Sequence, residues 1–103
     1  MGKRRKVRSQ IFHGVRYHID VDLTYVGWCD NPHKKDNGNE YPAIRLPGGL
    51  PFGNNPGAKS GLQILLHECG HAQNYRKSEK VIDREAAELA DLLWRLGYRR
   101  TKK

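Results

Sequence analysis

A chain of 103 residues has room for one domain that buries about two-thirds of its unfolded surface, which leaves no space for a separate regulatory module. Apolar residues make up 37% and charged residues 29%, lean in core-formers but well short of a disordered composition. The net charge of +8 divides along the chain: residues 1–8 and 99–103 carry nine bases and no acid, while the body holds ten bases against eleven acids, so the basicity belongs to two flexible tails and not to a binding face.

The first element is a strand, since Val15, Tyr17, Ile19 and Val21 alternate with period two and place one face on a core. His13-Gly14 reads as the turn before it. Residues 24–28 (Thr-Tyr-Val-Gly-Trp) are rich in β-formers and are expected to pair with that strand, with Gly27 as a weak point. The polar stretch 29–40, with Asn-Pro at 31 and Asn-Gly at 37, is a loop. Tyr41 to Leu46 forms a short strand, and the proline near its start predicts a sheet edge. Seven Gly and Pro residues between Pro47 and Gly57 then delay any regular element until Ser60, a suitable helix N-cap.

From Gly61 to about Tyr75 the spacing of Leu62, Leu65, Leu66, Cys69 and Ala72 marks a helix with a buried face. A second helix runs from Ser78, a good N-cap, to Leu96, with Gly97 placed to end it. The expected fold class is α+β: a small, mostly antiparallel sheet of about three strands packed on two helices. Residues 9–98 form the domain between tails 1–8 and 99–103. No run approaches the roughly 18 apolar residues of a membrane span, and no signal-peptide core follows the basic start, so the chain is expected to be cytoplasmic. Cys29 and Cys69 are too few for a disulfide framework and are expected as thiols.

Residues 67 to 71 read His-Glu-Cys-Gly-His. On a helix His67 and His71 stand one turn apart, about 40° from each other around the axis, so both imidazoles reach one ion from the same side. Glu68 projects about 100° away. That offset keeps it from ligating the ion yet near a water that the ion activates, where a carboxylate accepts the proton as the water attacks a carbonyl. Cys69 faces the apolar side and is a small core residue in this reading.

A catalytic zinc site wants a third protein ligand and an open position. No histidine follows His71, so the ligand is acidic or comes from upstream. With the apolar face of the second helix defined by Ile82, Leu89, Leu92, Leu93 and Leu96, Glu85 falls near its middle, and a carboxylate facing a core needs a partner or a metal. Glu79 lies roughly 90° off that centre and is the reserve ligand, while Asp83 and Asp91 point well away. Tyr75, Tyr98 and His18 are candidates to stabilise an oxyanion. Cys29 with His33 offers a weak second metal pair, and Trp28, Phe52 and Trp94 read as packing residues.

The motif His67-Glu68-Cys69-Gly70-His71, followed by Glu85-Ala86, Leu89-Ala90 and Leu92-Leu93, resembles the gluzincin branch of zinc metallopeptidases, including the ImmA/IrrE-like group. The stretch from Ile64 to Ala72, then Ser78-Glu79 and Leu93 to Arg99, is also similar to short metallopeptidase-like proteins of phages and bacteria. The resemblance covers roughly residues 41–100. It implies a minimal zincin-like fold, a Zn2+ cofactor held by His67, His71 and Glu85, Glu68 as general base, and a peptide or protein substrate. In the short phage-type group Glu79 takes the ligand position instead, and the early start of the second helix leaves that choice open. The competing expectation is a nucleic-acid-associated accessory protein whose tails make weak phosphate contacts and whose zinc site is structural. Substrate along the strand at Ala43 to Leu46 is a further expectation.

Overall fold

Val15, Tyr17 and Ile19 alternate as a strand should, and around that strand the rest of the sheet is laid. The computed structural model describes residues 7–22, 27–32, 42–47, 54 and 56–100. Strand β1 (Ser9–Phe12) and strand β2 (Val15–Asp22) form a hairpin whose two-residue turn, His13 and Gly14, has positive φ at both positions. That geometry matches the right-handed twist of the strands it joins. β1 was not expected from the sequence, because Ser-Gln-Ile-Phe carries too short an alternation to stand out from the tail before it.

Among the described residues the sheet is mixed and has four strands in the order β1-β2-β4-β3, where β3 is Trp28–Cys29 and β4 is Ala43–Pro47. β4 pairs parallel with β2 and antiparallel with β3. Two expectations are corrected here. Of the segment 24–28 only Gly27 and Trp28 are among the described residues, and Trp28, with Cys29, pairs with β4 instead of β2; Ala43 to Leu46 lies inside the sheet instead of at its edge. Proline is tolerated because Pro42 precedes the ladder and contributes only its carbonyl, which accepts from His18 N at 2.8 Å. The β4 edge expected to take a peptide is occupied by β3 at Ile44 and Arg45.

Helix α1 (Pro56–Gln73) begins earlier than expected, since proline suits the first turn of a helix, and Ser60 lies within it. It also ends earlier, and Asn74 organises the link: its side-chain Oδ1 accepts from Arg76 N and its carbonyl from Lys77 N. Helix α2 (Glu79–Leu96) has the expected limits. Ser78 caps it by accepting from Val81 N, and Gly97, in the left-handed region, closes it with backbone bonds to Leu93 and Trp94.

One face of α1 packs on the sheet, where Ala72 joins Tyr17, Cys29, Ile44 and Leu46 in the buried cluster and Leu65 and Tyr75 flank it. α2 packs on α1 and on no strand among the described residues. The result is three layers, sheet, α1 and α2, in place of a sheet covering both helices. The face α2 buries is narrow: Ile82, Ala86 and Ala90. At its centre Gly70 of α1 leaves room for Ile82, whose Cγ2 would stand 3.2 Å from a β-carbon there. Ile82→Ala is expected to cost about 3 kcal/mol, as for other large core residues cut to alanine. A shift in the denaturation midpoint measures it, and a loss under about 1 kcal/mol would mean that other contacts hold the helices together. No helix among the described residues is long and apolar enough to cross a membrane. Residues 1–6 and 101–103, most of the two tails, lie outside the described residues.

Candidate metal centre

The early end of α1 and the five-residue link bring the first turn of α2 level with the two histidines. His67 and His71 project from α1 with their Nε2 atoms 3.2 Å apart. Glu79, the first residue of α2, places Oε1 2.5 Å from His67 Nε2 and Oε2 2.9 Å from His71 Nε2. These three residues form a group of donors all within 4.8 Å of one another. Asp83, one turn further along α2, holds Oδ1 3.1 Å from the other ring nitrogen of His67, Nδ1.

Lone pairs decide what this cluster wants. Carboxylates flank both ring nitrogens of His67, Asp83 at Nδ1 and Glu79 at Nε2, so a cation bound at Nε2 would leave the ring proton at Nδ1, where Asp83 accepts it. His67 Nε2 faces one carboxylate oxygen, Glu79 Oε1, and the Nε2 of His71. Electron-rich atoms this close repel one another unless a proton or a cation lies among them. Two imidazoles and one carboxylate are a known zinc donor set, and ligands of a tetrahedral zinc at about 2.0–2.1 Å stand about 3.3 Å apart, close to the separation of the two imidazole nitrogens. The residues present therefore fit a divalent ion, with three protein donors and a position left over.

Glu85 is not brought to this group. Its carboxylate accepts from Lys77 Nζ at 3.0 and 3.1 Å, an ion pair at the surface. The reason is the face that α2 buries. Measured from the centre of Ile82, Ala86 and Ala90, Glu79 lies about 20° away and Glu85 about 100° at the usual 100° per residue. The leucines that drew the expected face towards Glu85 are exposed: Leu89 49%, Leu92 45% and Leu96 63%. Asp83 was missed for the same reason. Its signal was present, because Glu79 and Asp83 are four residues apart, as His67 and His71 are, and two such pairs face each other across a helix hairpin. Asp83→Ala is expected to weaken metal binding by about 10- to 100-fold without removing it. A competition titration with a chromogenic chelator measures this, and unchanged affinity would show that Asp83 does not orient the ring.

Glu68 lines a cavity of about 410 Å³ together with Gly27, Trp28, Cys29, His67, His71, Tyr75, Lys77 and Glu79. A second cavity, of about 360 Å³, lies beyond it against Ser60, Gln63, Ile64 and Asp83, and His67 and Glu68 wall both. Burial holds the Glu68 carboxyl above its ordinary range, with His67 opposing this and Glu79 adding to it. Gly27, at φ 96°, lets the backbone approach this side chain: a β-carbon there would stand 3.1 Å from Glu68 Oε2 and 3.0 Å from Ile64 Cγ2. The glycine that weakened the strand assignment is the one that makes room for Glu68.

Of the oxyanion candidates, Tyr75 lines the Glu68 cavity but donates its hydroxyl to Cys29 O at 3.1 Å. Tyr98 lies at the far end of α2 beside Trp94 and Arg99, and His18 is on β2. Both cysteines are free thiols. Burial pushes the Cys29 thiol up to about 12 and that of Cys69 to about 11, which favours the protonated form of each. His33 and Phe52 lie outside the described residues. The chain matches no known family model, no curated protein and no solved structure.

Proposed function

We propose that the chain is a metal-dependent peptidase with a minimal zincin-like fold, in which His67, His71 and Glu79 hold a zinc ion and Glu68 is the general base. The observation that carries this reading is the convergence of three lone-pair donors from two helices, with a further carboxylate, Glu68, in the same cavity and outside the donor set. A site of three donors leaves a coordination position for chemistry, whereas a structural zinc site is closed by four protein ligands.

When bound, the ion supplies a Lewis acid that polarises a carbonyl and makes water more acidic. Glu68 takes the proton from the attacking water and returns it to the leaving amine. Its burial suits both steps, because a carboxylate whose neutral form is favoured is a stronger base and keeps the proton until the amine needs it. Asp83 steadies His67. His67 and Glu68 wall both cavities, which supports an extended ligand, such as a peptide, lying across the site.

Chelation and reloading test this directly. The purified chain is expected to take up one zinc ion, to cleave a mixed peptide library, to stop when a chelator removes the metal, and to resume when zinc returns. A protein that binds zinc through four of its own residues and cleaves nothing would be a structural metalloprotein instead.

A further inference from the structure

Arg99 belongs to the basic end of the chain, yet it is firmly placed. Its guanidinium lies over the Trp94 ring, 3.3 Å from the centroid, while Nε donates to Asn54 Oδ1 at 2.7 Å and Nη1 to the carbonyls of Trp94 and Tyr98 at 2.7 and 3.0 Å. All of these partners are neutral. Among the described residues no carboxylate pairs with Arg99, although the residue is half-buried. A charge drawn partly out of water calls for an opposite charge beside it. The acids at this end of α2 do not supply one: Asp91 is bound to Lys59 at 3.0 Å and to Arg95 at 3.1 Å, and Glu88 lies about 120° around the helix from Trp94. Beside Arg99, between the first half of α1 and the end of α2, is a cavity of about 360 Å³ lined by Ala58, Leu62, Leu65 and Trp94 and, as its charged residues, Arg99 and Arg100.

We propose that this cavity is a second ligand site, separate from the metal centre, which takes a small organic acid: an apolar body among Ala58, Leu62, Leu65 and Trp94, and a carboxylate paired with Arg99. The volume falls in the range of small-ligand sites, roughly 300–1,000 Å³, and apolar walls with a few charged groups are usual there. Hydrogen-bonding chemistry selects the class. The side chains of Trp94, Arg99 and Arg100 only donate, which suits a carboxylate that only accepts. Peptide N–H groups would find the Tyr98 hydroxyl as the one side-chain acceptor among the described lining residues, and unpaired buried amides are costly. A hydrocarbon body carries no such groups and removes apolar surface from water. Fifteen residues of α2 separate Glu79 from Trp94, about 22 Å along the helix, so the site does not depend on what the metal centre catalyses.

Calorimetric titration of the whole chain with octanoate, octanol and octylammonium tests this, since the three share one apolar body and differ in head group. Octanoate is expected to bind at least about tenfold more tightly than octanol, the scale of one charge-assisted hydrogen bond, with octylammonium weaker than either and acetate not bound. Arg99→Gln should bring octanoate down to the affinity of octanol and leave octanol unchanged. Leu62→Trp, which fills the cavity from the α1 side, should abolish binding of both while the chain still melts cooperatively. A wild type that binds no octanoate at millimolar concentration overturns the proposal, as does equal affinity for octanoate and octanol. So does a preference that survives Arg99→Gln, or octanoate binding undiminished in Leu62→Trp. Octanoate bound only when zinc is present would place the acid on the metal instead, and a leucine-ended peptide bound more tightly than octanoate would make the site one for chain ends; either result overturns the assignment.

Discussion

Glu79→Ala is expected to reduce zinc affinity at least about a hundredfold, whereas Glu85→Ala leaves it unchanged. The floor follows from the effect of residues that merely orient a ligand, which cost about 10- to 100-fold; a residue that itself supplies a donor costs no less. Glu79 approaches both imidazoles with its two oxygens, so its loss leaves two neutral donors and no negative charge on the ion. Glu79→Asp is a sharper probe, because the shorter side chain keeps the charge and withdraws it by one methylene. It should recover part of the affinity. Glu85→Ala removes the ion pair with Lys77, whose two side chains are about 40% exposed, and surface pairs of this kind contribute about 0–1 kcal/mol. Metal stoichiometry after dialysis and competition with a chelator read out all three variants. The reverse result, with zinc lost in Glu85→Ala and kept in Glu79→Ala, would require α2 to be rotated by about a quarter-turn from the face it buries here.

That contrast marks how far the site was legible in the sequence. His67, Glu68 and His71 were legible because their relation is local: four residues on one helix fix the angle between two imidazoles whatever the rest of the fold does. The ends of α2 were legible for the same reason, since Ser78 and Gly97 act within one turn of themselves. Which carboxylate comes level with the histidines depends on which face of α2 meets α1, and side-chain size pointed to a different face. Leucines usually mark a buried face, but this contact is made by Ala86 and Ala90 around Ile82, with Gly70 opposite, because close approach of two helices favours small residues. Sheet order was less legible still. Whether Ala43 to Leu46 lies at the edge or inside depends on pairings across 25 residues on one side and 15 on the other, and nothing local in Tyr-Pro-Ala-Ile-Arg-Leu encodes them.

Glu68→Gln is expected to keep the zinc, to lower the peptide-cleavage rate by about a thousandfold, within the usual range for a lost general base, and to raise the melting temperature of the metal-free protein. Rate and stability move in opposite directions for one physical reason. Burial raises the pKa of Glu68 in the folded chain above its unfolded value, so folding favours the neutral acid. The stabilisation that comes with that proton is fully present below the unfolded pKa and is lost as pH rises through the folded one. Once its carboxyl ionises, the wild type therefore keeps a half-buried charge that glutamine does not have. The melting temperatures of variant and wild type should lie close together in acid, separate as pH rises through the carboxylate range, and stay a few degrees apart at neutral pH. Melting curves of both proteins across that range test the sign, and a variant less stable than wild type at neutral pH would contradict the desolvation account. The rate arm is independent: a loss of less than about tenfold would place the proton transfer on another group, and a loss of zinc along with the rate would make Glu68 a ligand. Gly27 belongs to the same account. A residue with a β-carbon would crowd Glu68 from the β3 side, so the fold sets aside space for a carboxylate that weakens it, and such local conflict between stability and side-chain placement is where function is expected.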